Sequence, residues 1–119
     1  VRLSVGLEDI ADLLADVTAH AIRHLQARPQ DAGLYHLVAS GETNWHLYAK
    51  YVLAQAQQAQ PAIELKATEV VPVPTSAFPT PARRPHNSRL NTQKLQAAFG
   101  ITLPHWQQGV ARMLQEALA

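Results

Sequence analysis

The chain of 119 residues contains no cysteine, which excludes disulfide staples, thiolate metal sites and a cysteine nucleophile. No apolar run approaches the roughly 20 residues of a membrane helix, and no apolar signal segment follows a basic start, so a soluble, cytoplasmic protein without a membrane partner is expected. The five glycines are scattered, and neither a Gly-x-Gly-x-x-Gly fingerprint nor a Walker-type phosphate loop occurs. No serine stands in a Gly-x-Ser-x-Gly turn, so a self-contained hydrolase is not expected. The last absence is positional: no Asp or Glu lies between Glu69 and Glu116.

What fills that acid-free interval is basic. Arg83, Arg84, Arg89, Lys94 and Arg112 all fall within it, whereas residues 1–69 carry eight acids against five Lys or Arg, so the formal net charge of +1 hides a division. The cations concentrate in Pro79 to Thr92, reading PTPARRPHNSRLNT. Pro79, Pro81 and Pro85 fix φ and remove backbone donors, which predicts a stiff, extended loop. Guanidiniums on a preset backbone suit a phosphate or diphosphate, because each planar fork can donate two parallel hydrogen bonds. Asn87 and Ser88 add neutral donors and acceptors, and His86 stands beside the arginines. A solvated basic connector fits the same composition. Nucleic-acid binding is not expected, since the arginines occupy one proline-rich loop without aromatic interleaving or a recognition helix.

Periodicity outlines the fold. Leu7, Ile10, Leu13, Leu14, Val17, Ala21 and Leu25 recur at helical spacing, predicting a helix from Leu7 to Gln26. Leu34 to Ala39 reads as a short buried strand ended by Gly41. Thr43 can cap a second helix to about Gln58, with Leu47, Tyr48, Tyr51, Val52 and Leu53 on its apolar side. Residues 63 to 73 favour a strand through their β-branched content, strongest at Glu69 to Val71. Strand, helix, strand in that order predicts a parallel crossover, with the arginine loop leaving the carboxyl end of its second strand, where open α/β sheets bind ligands. Asn91 or Thr92 can cap a short helix bearing Leu95, Ala98 and Phe99, stopped by Gly100. A last helix runs from about Pro104 to Leu118 with Trp106, Val110, Met113, Leu114 and Leu118 inward. The expected fold class is α+β and mostly helical: about four helices with a small parallel two-strand βαβ element in a single domain, 1–119.

The remaining chemistry-bearing residues favour structural roles. His20 and His24 stand at i, i+4 without the inner Glu of a zinc-protease helix, and His36 alternates with apolar neighbours as a hydrogen-bonded structural histidine would. Trp45, Tyr48 and Tyr51 at helical spacing read as core before they read as a base-stacking platform.

Three blocks carry a resemblance: GLYHLVASGETNWHLYAKYV at 33–52, PTPARRPHNSRLNTQKL at 79–95 and LPHWQQGVARML at 103–114. Together they resemble the C-terminal, substrate-binding region of the bacterial dTDP-4-dehydrorhamnose reductases over roughly residues 13–119. The resemblance implies the C-terminal domain of an extended short-chain dehydrogenase, whose N-terminal Rossmann domain binds NADPH and carries a Tyr-x3-Lys pair. That family reduces a dTDP-4-keto sugar to dTDP-L-rhamnose for surface polysaccharide such as lipopolysaccharide. Carried over position by position, Arg83, Arg84, Asn87, Ser88 and Arg89 are the substrate-side candidates, and His86, beside the arginines, joins them. Glu116 falls where some members place a carboxylate at a magnesium-linked dimer interface.

The departures matter equally. None of Tyr35, Tyr48 and Tyr51 has Lys four positions later, and no glycine-rich loop is present, so this chain alone is expected to be inactive, to bind no cofactor and to hold a dTDP-sugar weakly. Residues 1–16, VRLSVGLEDIADLLAD, are similar to the C-terminal end of cystathionine γ-synthase and related PLP enzymes, where the residue matching Arg2 holds a substrate carboxylate. With Val1 rather than Met at the start, that similarity makes a truncated or fused chain the expectation, the foreign segment completing the first helix. A fused remnant that self-associates, through apolar surface or a helix swap, is the alternative to a sugar-binding role.

Overall fold

The computed structural model describes the backbone of residues 2–5, 10–67 and 69–119, with side chains from residue 14 onward, residue 68 excepted. Its elements in chain order are β1 (Arg2–Val5), α1 (Ile10–Ala27), β2 (Leu34–Leu37), α2 (Trp45–Ala59), α3 (Gln93–Phe99) and α4 (Trp106–Leu118), with 3-10 turns at Pro29–Asp31 and Thr75–Ala77. The expected start of the first helix at Leu7 and the side chain of Arg2 lie outside the described residues.

Two compact units divide the chain: residues 1–41 with Leu90–Val110, and Glu42–Arg89 with Ala111–Ala119. In the first, β1 and β2 pair in parallel, Arg2 opposite Leu34 and Val5 opposite Leu37, with α1 as the intervening element. The core gathers around one face of β2. Tyr35 and Leu37, two apart on the strand, point the same way and pack with Val17 and Ala21 of α1, Leu95 and Phe99 of α3, and Leu103. The four-residue spacings of Val17–Ala21 and Leu95–Phe99 are the helical periodicity that puts each pair on one stripe. Phe99 meets Tyr35 and His24 with ring centroids 4.9 Å apart in each case.

Polar staples hold the same unit. The imidazole Nε2 of His20 donates to the Phe99 carbonyl at 2.7 Å, giving one carbonyl of the last turn of α3 a partner. Asp31 accepts from Nε2 of His24 at 2.7 Å and forms an ion pair with Nε of Arg28 at 3.1 Å, and its carbonyl accepts from the Tyr35 hydroxyl. Lys94 donates to the Leu34 carbonyl at 2.9 Å while its ammonium lies 4.6 Å from the centre of the Tyr35 ring. Gly100 closes α3 in the left-handed conformation, φ 62°, donating to the Gln96 carbonyl, a role that glycine fills without β-carbon strain.

In the second unit α2 is capped by Asn44, whose side-chain oxygen accepts from Leu47 N at 2.9 Å, rather than by Thr43. Its apolar side is shallow: Ala56 is the buried residue, Tyr48, Tyr51, Val52 and Leu53 are half-buried, and Leu47 is exposed. Trp45, expected in the core, is 73% exposed and makes an edge contact with Tyr48 at 5.9 Å.

The strand expected over residues 63–73 does not form. Its described residues run as coil, with Val71 and Val73 exposed. Pro72 and Pro74 remove ladder donors there, and β-branched content stabilises a strand only where a paired edge and a covered face exist. The parallel pair uses β1 instead, and the arginine loop is reached through coil and a 3-10 turn, not from the end of a strand. Met113, expected inward, is 40% exposed, although Trp106, Val110 and Leu114 of the same helix are buried as the spacing predicts. His36 also departs from expectation: its Nδ1 is buried and has no hydrogen-bond partner among the described residues.

Candidate functional site

Residues 79–92 form no helix or strand, and Arg83, Arg84, His86, Asn87, Ser88 and Arg89 are all exposed. Short-range bonds shape the segment where proline has removed backbone donors: the Thr80 hydroxyl donates to the Ala82 carbonyl at 2.8 Å, and Asn91 accepts from Gln93 N at 2.9 Å.

The arginines divide into two kinds. Arg89 is held. The side-chain oxygen of Asn87 accepts from its backbone N–H at 3.1 Å and from its Nε at 3.0 Å, and the Glu42 carboxylate accepts from its Nη1 at 2.6 Å. Two neighbouring donors of one guanidinium are thus engaged, and the plane of that group is set. Arg83 and Arg84 stand in solvent with no hydrogen-bond or carboxylate partner among the described residues. Asn87 spends its carbonyl oxygen on Arg89, which leaves its amide as a donor. His86 and Ser88 sit between the two groups of arginines along the chain.

Glu42 is the residue that sequence reasoning missed. The interval from Glu69 to Glu116 is free of acids along the chain but not in space, because Glu42 reaches the loop across 47 positions. No local pattern announces such a contact. The available hint was that Glu42 is the only acid between Asp31 and Glu64, two residues ahead of a helix cap.

The second unit exposes apolar side chains in Trp45, Val71, Val73 and Phe78. His46 is positioned by donating Nε2 to the Val70 carbonyl at 3.0 Å, tying the coil of residues 63–73 to α2. Glu116 lies on the exposed part of α4 with its carboxylate 3.9 Å from Nε of Arg112. No group of three His, Cys, Asp or Glu able to hold a metal ion occurs among the described residues. No described helix is long and apolar enough to cross a membrane.

A loop presenting two free arginines and one clamped arginine, carried by a mostly helical fold, is chemistry for an anionic ligand. Comparison with known proteins places the chain in a family. The sequence model of the RmlD substrate binding domain matches residues 6–119, and the chain belongs to this family. The dTDP-4-dehydrorhamnose reductase of Escherichia coli (strain K12) is 58% identical over 106 residues, covering 89% of this chain and 35% of that protein. The protein of the same name from Shigella flexneri shows the same identity and coverage. The one from Burkholderia thailandensis is 39% identical over 118 residues, 96% of this chain and 40% of its own length. The chain therefore spans 35% to 40% of these curated relatives. Residues 6–16 of the opening segment lie inside the family match.

Proposed function

We propose that this chain is the substrate side of an NADPH-dependent dTDP-4-dehydrorhamnose reductase, an extended short-chain dehydrogenase, and that the loop from Arg83 to Arg89 holds the diphosphate of a dTDP-sugar. The observation that carries the reading is the pair of unpartnered, exposed guanidiniums at Arg83 and Arg84 next to a third whose plane is fixed. Such forks match phosphate oxygens in geometry and charge. Asn87, through its amide, and Ser88 and His86 supply further hydrogen bonds to the same ligand. Affinity in the isolated chain is weak, because exposed arginines contribute little until a ligand excludes water from them.

The residues present do not fit the nicotinamide cofactor itself. The dinucleotide phosphates need closely spaced glycines at a strand-to-helix turn, and the five glycines of this chain are isolated from one another. No catalytic step is therefore assigned to these residues; hydride delivery and proton donation belong to a domain bearing those motifs. Magnesium fits poorly as well. It takes about six oxygen ligands, whereas Glu116 is a lone carboxylate with Arg112 beside it, so Glu116 would serve as one ligand among several from a second copy. The expected site of action is the cytoplasm.

Titration of a dTDP-sugar into the chain, followed by NMR, tests the reading. Shifts confined to the loop, at Arg83, Arg84 and Asn87, support it; silence at those residues with millimolar ligand refutes it. The exposed Trp45, Val71, Val73 and Phe78 favour a second reading, a non-enzymatic module that self-associates through apolar surface. Sedimentation over a wide concentration range separates the two, since a strict monomer removes the module.

A further inference from the structure

The contact between Glu42 and Arg89 joins a carboxylate to a donor that a phosphate would also use. Nε and Nη1 of Arg89 are taken by Asn87 and Glu42, at 3.0 and 2.6 Å. Asn87 is neutral and lies within the loop, so it orients Arg89 without cancelling its charge. Glu42 comes from outside the loop, cancels the charge, and occupies the guanidinium with the same oxygen chemistry that a phosphate presents. Both partners are largely exposed, with side chains 61% and 68% accessible. Exposed pairs of this kind are weak and readily exchanged. Arg83 and Arg84, without such a partner, keep their full charge.

We propose that Glu42 is an intramolecular stand-in for the ligand's phosphate, and that a phosphate-bearing ligand displaces it from Arg89 before that arginine joins Arg83 and Arg84 in binding. The proposal rests on the loop being a phosphate-binding element and adds the residue that sets its affinity. Glu42 keeps Arg89 aligned in the free protein and lowers its attraction for single carboxylates, which gain too little to replace a tethered one. A diphosphate carries more charge and engages several arginines at once, so it pays for the exchange.

The test follows the arginine Nε–H signals of the whole chain by NMR while thymidine diphosphate is added to the wild type, Glu42→Gln and Glu64→Gln. Glu64 is exposed and has no place in the loop, so it controls for the loss of one negative charge. The expected result is tighter binding in Glu42→Gln by about two- to fivefold, the range that an exposed ion pair allows, and no such gain in Glu64→Gln. In the wild type, saturating ligand moves the Arg89 signal toward its position in Glu42→Gln. Equal or weaker binding in Glu42→Gln, or the same gain in both variants, overturns the role of Glu42 while responses at Arg83 and Arg84 leave the loop reading standing. No arginine response in any of the three proteins overturns both.

Discussion

Gly41 and His105 approach so closely that a β-carbon on the glycine would overlap the imidazole, lying 2.7 Å from its Cδ2. Gly41 also has φ +86°, a conformation that side chains disfavour. The approach is fixed by backbone bonds on both sides of it, Ser40 N to the Pro104 carbonyl at 2.7 Å and Trp106 N to the Ser40 carbonyl at 3.1 Å. Gly41→Ala therefore meets two separate penalties. The backbone part alone costs about 1 to 2 kcal/mol, and the steric part adds to it unless the ring turns away. Denaturant unfolding of Gly41→Ala should show that loss, and His105→Ala in the same chain should recover the steric part and leave the backbone part. Full recovery would mean that φ carries no strain.

Leu37 of β2 and Leu95 of α3 are the largest fully buried side chains among the described residues, and both belong to the core of the first unit. Truncating either to alanine removes apolar contact and leaves a cavity that rigid neighbours fill only in part, at about 2 to 5 kcal/mol. That is a large share of the stability of a small domain. Leu37→Ala and Leu95→Ala should lower the denaturation midpoint strongly, whereas Leu34→Ala, at a 49% exposed position on the same strand, should change it little. Equal losses at positions 34 and 37 would show that the strand buries a different face.

Asn44 begins α2 by accepting from Leu47 N at 2.9 Å. Replacing it with alanine leaves that first-turn donor to water and costs about 1 kcal/mol, whereas Asn44→Asp or Asn44→Ser retains a capping oxygen and most of the stability. Thr43 was the expected cap, yet its hydroxyl donates to the Asn44 carbonyl at 3.3 Å and supports no helical N–H. Thr43→Ala should thus be nearly silent. Comparing helix content and unfolding midpoints of Asn44→Ala and Thr43→Ala decides which residue caps α2.

The helices were legible because their evidence is local. Val17 and Ala21, Leu95 and Phe99, and Trp106, Val110 and Leu114 bury at the spacing their sequence displays, and Gly100 stops α3 at its left-handed position. The strands were legible only by halves. Leu34–Leu37 belongs to a short apolar run between Gly33 and Gly41, but β1 has its parallel partner far along the chain, and nothing in Arg-Leu-Ser-Val names it. Residues 63–73 have strand composition without a sheet edge to receive them. In the site, the proline and arginine content announced the loop, while the carboxylate that neutralises Arg89 came from 47 positions away and left no trace in the local pattern.

The division of the arginines leads to an ordered effect of substitution on ligand binding. Arg83 and Arg84 have no competing partner, so each meets a diphosphate with its whole charge and both faces of its fork. Arg83→Ala or Arg84→Ala should weaken binding of thymidine diphosphate by about tenfold, the order expected for losing a charge-assisted hydrogen bond. Lysine at either position keeps the charge and loses the planar fork, so it should restore only part of the affinity. Arg89→Ala should cost less than either, because it gives up an arginine that Glu42 already neutralises at 2.6 Å. Asn87→Ala acts through Arg89: without the oxygen that holds Nε and the backbone N–H, the guanidinium loses its fixed plane, and binding should weaken to about the level of Arg89→Ala. Calorimetric titration of the six variants against the wild type measures the order. An Arg89→Ala loss larger than those at 83 and 84 would mean that the clamped arginine, not the free pair, carries the ligand.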